Sequence, residues 1–247
     1  MEITRDAIRT EHLRKVYRDV TAVDDLDLTV KEGELFALLG VNGAGKSTTI
    51  RMLATLSEPT AGDAFLLGKS IRSERAAVRE IIALSPQETA VAPNLTVLEN
   101  LRLIAGIHGL RGDRREAKIA ELTGQFSLSS QLSRRAGKLS GGWQRRLSLA
   151  MALIGEPKIL FLDEPTLGLD VIARSELWET VRALKGKVTV ILTTHYMEEA
   201  EALADRIGIM REGRLLTVGT AEELCEKTGC DRFENAFISI VKGGMTL

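Results

Sequence analysis

Apolar positions along this chain follow two periods, and the switches between them lay out an alternating plan of strands and helices. Leu26, Leu28 and Val30 alternate with polar residues, the period of a strand with one buried face. Lys31-Glu32-Gly33-Glu34 reads as a turn, and the unbroken apolar run 35–39 as a strand buried on both faces. A glycine-rich loop follows from Gly40 to Gly45, and then a helix is predicted over 46–56 with Ile50, Leu53 and Ala54 inward. Pro59 to Gly62 breaks that helix, and 64–67 reads as another short strand.

The helical period then dominates. Val97, Leu101, Ile104, Ala105 and His108 fall on one helical face, as do Ile119, Leu122 and Phe126, and then Leu147, Ala150, Met151 and Ile154. Residues 88–156 are therefore expected to form a helical insert. After it come a strand at 158–163, a helix at 172–184, a strand at 188–193, a helix at 197–204 and a strand at 206–210. Strands separated by helices imply parallel strands joined by crossover helices. The fold class expected is α/β, in a single domain over residues 1–247 with a C-terminal extension at 225–247.

Composition adds mainly exclusions. Lys plus Arg number 33 and Asp plus Glu 34, so no global charge draws the chain to nucleic acid or an acidic membrane. The pairs Arg114-Arg115, Arg134-Arg135 and Arg145-Arg146 lack interleaved aromatics and read as solvated faces. Two cysteines, Cys225 and Cys230, and three histidines suggest neither a zinc site nor a disulfide framework, and reduced thiols are expected. The N-terminal segment is charged throughout, unlike a secretory signal, and no apolar run approaches the roughly 18 residues of a membrane span. A soluble chain is expected, reaching a membrane only through a partner.

The chemistry begins at Gly40-Val41-Asn42-Gly43-Ala44-Gly45-Lys46-Ser47-Thr48, which fits G-x-x-x-x-G-K-[ST] between a strand and a helix. Its glycines let backbone N–H groups turn inward around phosphate oxygens, and the helix N-terminus points at the same anion. Lys46 is expected to bridge β- and γ-phosphates, and Ser47 to coordinate Mg²⁺. Leu160-Phe161-Leu162-Asp163-Glu164 supplies the second half: an apolar strand delivers Asp163 beside the metal and Glu164 to the attacking water. Hydrolysis, as distinct from nucleotide binding, rests mainly on Glu164. Further along, Ser140 is expected to cap a helix whose first residues, Gly141 and Gly142, expose N–H groups as a second anion site.

With Leu139-Ser140-Gly141-Gly142 placed between the glycine loop and the acidic pair, the sequence resembles the nucleotide-binding domain of ABC transporters over nearly its whole length. The resemblance implies a P-loop NTPase core with a mainly parallel sheet, an N-terminal antiparallel β subdomain and an inserted helical subdomain. It also implies ATP and Mg²⁺ as ligands and a head-to-tail dimer in which the signature loop of one chain covers ATP held by the other. Tyr17 stands where an aromatic residue stacks on adenine. Gln87, in Ser85-Pro86-Gln87, looks like the glutamine that reaches metal or water and senses the membrane subunit. Leu167-Gly168-Leu169-Asp170 resembles the loop that crosses the dimer interface, and His195 resembles the switch histidine that touches the γ-phosphate.

One departure stands out: Trp143 occupies the signature's fifth position, where glutamine is frequent, which puts any contact by that side chain in doubt. The strings Leu95–Leu101, His195–Glu201 and Phe233–Ile238 resemble the branch whose separate ATPase subunits drive drug and antibiotic exporters. Integral membrane permease subunits, a second copy of the chain and a place at the cytoplasmic face of the membrane are thereby implied, with no nucleic-acid partner. A ribosome-associated or regulatory ABC ATPase and a chromosome or repair ATPase are the alternatives. The first kind usually carries two such domains, and the last separates its motifs by long coiled coils.

Overall fold

The computed structural model describes residues 5–243. Its central sheet has six strands in the order β11-β10-β4-β9-β8-β7. These are β4 (Leu35–Leu39), β7 (Ile82–Ser85), β8 (Ile159–Asp163), β9 (Thr189–Thr194), β10 (Arg206–Arg211) and β11 (Arg214–Gly219). All pairings are parallel except that of the edge strand β11 with β10. A second sheet is antiparallel. In it β1 (Asp6–Tyr17) pairs with β2 (Val20–Leu26), β3 (Thr29–Lys31) and β5 (Ala61–Leu66), and β5 pairs with β6 (Lys69–Ser70).

The strand period divides the core. Phe36 and Leu38 of β4 and Phe161 of β8 pack toward the antiparallel sheet and helix α1 (Lys46–Leu53). Leu160 and Leu162 face the opposite way, against helices α3 (Val97–Ile107), α4 (Gly112–Gln125) and α5 (Gly141–Leu153). Ala37, Leu39, Ile207 and Ile209 pack on α7 (Met197–Leu203), α8 (Ala221–Thr228) and α9 (Phe233–Gly243). The remaining helices are the short α2 (Arg75–Arg79) and α6 (Val171–Arg182). Each large side chain buried this way stabilises the fold by roughly 1.5–3 kcal/mol.

Several expectations shift. The stretch with Leu26, Leu28 and Val30 buries all three, but it is broken into the end of β2 and β3. The helix expected over 46–56 stops at Leu53. There Leu56 N–H bonds back to the Arg51 carbonyl, Thr55 takes a left-handed φ of 59°, and Arg79 donates to the Thr55 hydroxyl. His108 is not inward; it caps the end of α3 and is exposed. Of the segment expected as a C-terminal extension, 225–243 forms the end of α8 and α9, and 244–247 lie outside the described residues.

Candidate functional site

The buried strand β4 delivers the chain into the glycine loop, and two of its glycines are fixed by crowding. A Cβ on Gly40 would lie 2.4 Å from the Met210 carbonyl oxygen. Gly45 adopts φ of 102°, and a Cβ there would lie 2.4 Å from the carbonyl oxygen of Ala22. The loop is thus held between β2, the end of β10 and the end of β9, where Gly40 N–H reaches the Thr194 carbonyl. Asn42 to Thr48 line a pocket of about 570 Å³ together with Val20, Thr21, Ala22, Gln87, Glu164, Leu167 and His195.

Lys46 lies at the base of this pocket, 5% exposed. Its ammonium donates to the Gly40 and Val41 carbonyls at 2.7 and 3.2 Å and stands 3.5 Å from Glu164 Oε1. Burial pulls its pKa below the ordinary lysine value, and the charges of Glu164 and Asp163 oppose that pull. Ser47 Oγ donates to Asp163 Oδ1 at 2.9 Å, and Thr193 Oγ1 donates to the same oxygen at 2.6 Å. Asp163 is thereby aimed at the first turn of α1. Ser47, Asp163 and Gln87 offer oxygen donors only, the set that suits a small hard divalent cation.

Glu164 sits at the end of β8 in a left-handed conformation with φ of 49°, its N–H bonded to Thr193. A glutamate held there is strained, and the turn past β8 directs its carboxylate into the pocket. Glu164 is 6% exposed, and its Oε2 lies 2.6 Å from His195 Nδ1 at the end of β9. The arrangement therefore combines the backbone of a glycine-rich loop, one ammonium, a carboxylate bonded to Ser47 and a second carboxylate paired with an imidazole. That set can bind a nucleotide polyphosphate and activate a water.

Tyr17, Ser140, Gly141 and Gly142 stand apart from the pocket lining. Tyr17 ends β1 at 43% exposure, its hydroxyl 3.2 Å from Ser57 Oγ and its ring under the Lys15 ammonium at 4.8 Å. Val20 to Ala22, just beyond it, form the rim instead. Ser140 is the N-cap of α5, but its hydroxyl makes no capping bond, contrary to expectation. Gly141 and Gly142 open that helix against Leu169 and Ala173, away from the lysine pocket. Trp143 packs into the helical core with the Arg146 guanidinium 4.9 Å over its ring.

Residues missed from sequence are as informative. Arg145 and Arg146 are buried at 4% and 8%, not solvated. Arg145 donates to the Pro86 and Gln87 carbonyls at 2.6 and 2.5 Å, and Arg146 pairs with Glu176. The pair follows the glycines Gly141 and Gly142 after two residues, the one sequence signal that separated it from the exposed arginine pairs. Thr193 bridges both acids, and nothing but its place one residue before Thr194-His195 marks it.

Residues 23–167 match the family described as ABC transporter. The chain is 44% identical over 229 residues to the daunorubicin resistance ATP-binding protein DrrA3 of Streptomyces coeruleorubidus, covering 92% of this chain and 72% of that one. It is 40% identical over 240 residues to the probable multidrug ABC transporter ATP-binding protein YbhF of Escherichia coli K12, covering 95% of this chain. It spans only 41% of YbhF's length. Among solved structures, the dimeric post-hydrolysis state of the ATP-binding cassette MJ0796, bound to ADP and Pi, superposes with a TM-score of 0.78. That match has 26% identity and covers 86% of this chain and 98% of that one.

Proposed function

The chain belongs to the ABC transporter family, and from that premise we propose that it binds and hydrolyses ATP to power export of drugs or antibiotics through membrane permease subunits. The observation that carries this reading is the convergence of Lys46, Ser47, Glu164 and His195 on one pocket, with Asp163 bonded to Ser47. The N–H groups of the glycine loop and the Lys46 ammonium receive the β- and γ-phosphates. Ser47 and Asp163, joined by the Gln87 side chain, would hold Mg²⁺, which would supply positive charge to neutralise the phosphates. Glu164 takes the proton of a water aligned for in-line attack on the γ-phosphorus. His195, hydrogen-bonded to Glu164, orients that carboxylate and reaches the γ-phosphate beside it. Tyr17 and the Val20 rim receive the adenine.

Two features support a second copy closing the site. The glycines at the start of α5 lie away from the lysine pocket, where they are free to meet phosphate held by another chain. Leu167, Val171 and Ile172, on the loop after Glu164 and the start of α6, expose apolar side chains at 36%, 79% and 72%. No helix among the described residues is long and apolar enough to cross a membrane, which favours attachment through permeases at the cytoplasmic face. The groove of Ile82, Leu84, Ile104 and Met151 beside the Gln87 loop is the surface offered to them.

Phosphate release from Mg-ATP by the purified chain tests the reading. Wild type should release phosphate continuously, and Lys46→Ala should weaken ATP binding at least about tenfold by removing a charge-assisted contact. Equal binding and release by both proteins would overturn it. Purification from detergent-solubilised membranes should bring along a multi-span membrane protein; a chain recovered without one would contradict the transport role.

A further inference from the structure

We infer that Glu199 is a positioning residue for hydrolysis: as a neutral carboxylic acid, it fastens the turn after Glu164 to the loop that carries His195. Glu199 lies on α7, 0% exposed. Its Oε1 accepts the Trp178 indole N–H from α6 at 3.1 Å. The hydroxyls of Thr194 and Thr166 lie against the same carboxyl. Thr166 is itself 0% exposed and stands two residues beyond Glu164; Thr194 immediately precedes His195. One buried acid therefore touches both chain segments that carry the 2.6 Å Glu164–His195 pair.

The surroundings decide its protonation state. Among the described residues Glu199 has no salt-bridge partner. The Arg145 guanidinium on α5 is in electrostatic range but is engaged by the Pro86 and Gln87 carbonyls, and Arg174 on α6 stacks on the Tyr196 ring at 4.7 Å. Glu164, the other charged group facing it, is an acid and repels a second negative charge. An unpaired buried carboxylate is strongly disfavoured, whereas a neutral carboxylic acid has no charge to desolvate. Glu199 Oε2 and Thr166 Oγ1 are both buried with no partner of hydrogen-bonding geometry, and Thr194 Oγ1 already receives the Tyr196 N–H at 3.0 Å. Burial pushes the Glu199 carboxyl above the ordinary carboxylate range, outweighing the Thr194, Thr166 and Trp178 donors, which favour the ionised form.

This inference rests on the ATPase reading, and its test separates the two. Full-length wild type, E199Q, E199D and E199A are compared by phosphate release and by infrared difference spectra in the protonated-carboxyl region near neutral pH. Gln keeps one acceptor and one donor, so E199Q should retain kcat within about twofold while the wild-type carboxyl band disappears. E199D, too short to reach, and E199A should lose about tenfold or more in kcat with KM for ATP nearly unchanged, since misplacing reacting groups costs rate and not ground-state binding. A wild-type spectrum without the band, E199Q impaired as badly as E199A, or all variants turning over like wild type would each overturn the inference while leaving the ATPase reading intact. Wild type without ATP-dependent phosphate release would overturn both.

Discussion

Arg145 shows at the level of a single side chain how the site is tied to its surroundings. Its planar fork spans two successive carbonyls, those of Pro86 and Gln87, and so fixes the backbone from which the Gln87 side chain extends. Lysine carries the charge but lacks the rigid planar fork that holds both oxygens in one geometry. Arg145→Lys should therefore fold, bind ATP, and lose about tenfold in phosphate release through a mispositioned Gln87; unchanged kcat would contradict this role. Glu199 makes a prediction in pH. Its folded-state pKa is raised, so the stability associated with it is present at acidic pH and lost as pH climbs from the ordinary carboxylate range through the raised value. Melting temperatures of E199Q and wild type should accordingly agree near pH 4.5 and diverge in favour of E199Q toward pH 8. A constant difference across that range would refute the buried neutral acid.

Among the elements, the helices between β7 and β8 depend on one polar knot. Asn100, 0% exposed on α3, accepts the Ala92 N–H at 2.8 Å and donates to the carbonyls of Ala92, Leu95 and Thr96. Removing it strands the Ala92 N–H, while the three carbonyls keep backbone donors, and at about 1–3 kcal/mol for an unsatisfied group Asn100→Ala should cost roughly 1–3 kcal/mol in denaturant unfolding. A loss below about 0.5 kcal/mol, the range of ordinary surface changes, would show the knot to be incidental. The elements that were legible in sequence are those with an unmixed environment. Strand β4 is buried on both faces and its bounds are the apolar run itself. Strand β1 was not read because its pattern is interrupted: His12 takes φ of 48°, and the pairings with β2 and β5 both shift register nearby. The buried arginines were misread for a related reason. Their partners, two carbonyls and a glutamate, lie 30 to 59 residues away in the chain, where local pattern carries no trace of them.

For the whole molecule, the fold gathers the candidate site from four strand ends. β4 feeds the glycine loop, β7 the Gln87 loop, β8 the acidic pair and β9 the histidine, all at the carboxyl ends of parallel strands. The motifs on those ends were legible because their residue types and spacing are dictated by phosphate and metal chemistry. The supports behind them, Thr193, Arg145 and Glu199, were not, since each acts through tertiary contact. If closure against a second copy completes the site, ATP binding without hydrolysis should accumulate dimer, because ligand can shift the equilibrium only by preferring the closed state. Sedimentation of Glu164→Gln with Mg-ATP should show that dimer, and a monomer at saturating nucleotide would count against head-to-tail closure.

The proposed role of Glu164 as the group that activates water bears the weight of the whole account. Measured on the same preparations, Glu164→Gln should bind ATP as tightly as wild type while phosphate release falls by about a hundredfold, the scale of general-base loss. Near-normal release by that variant would contradict the account at its centre.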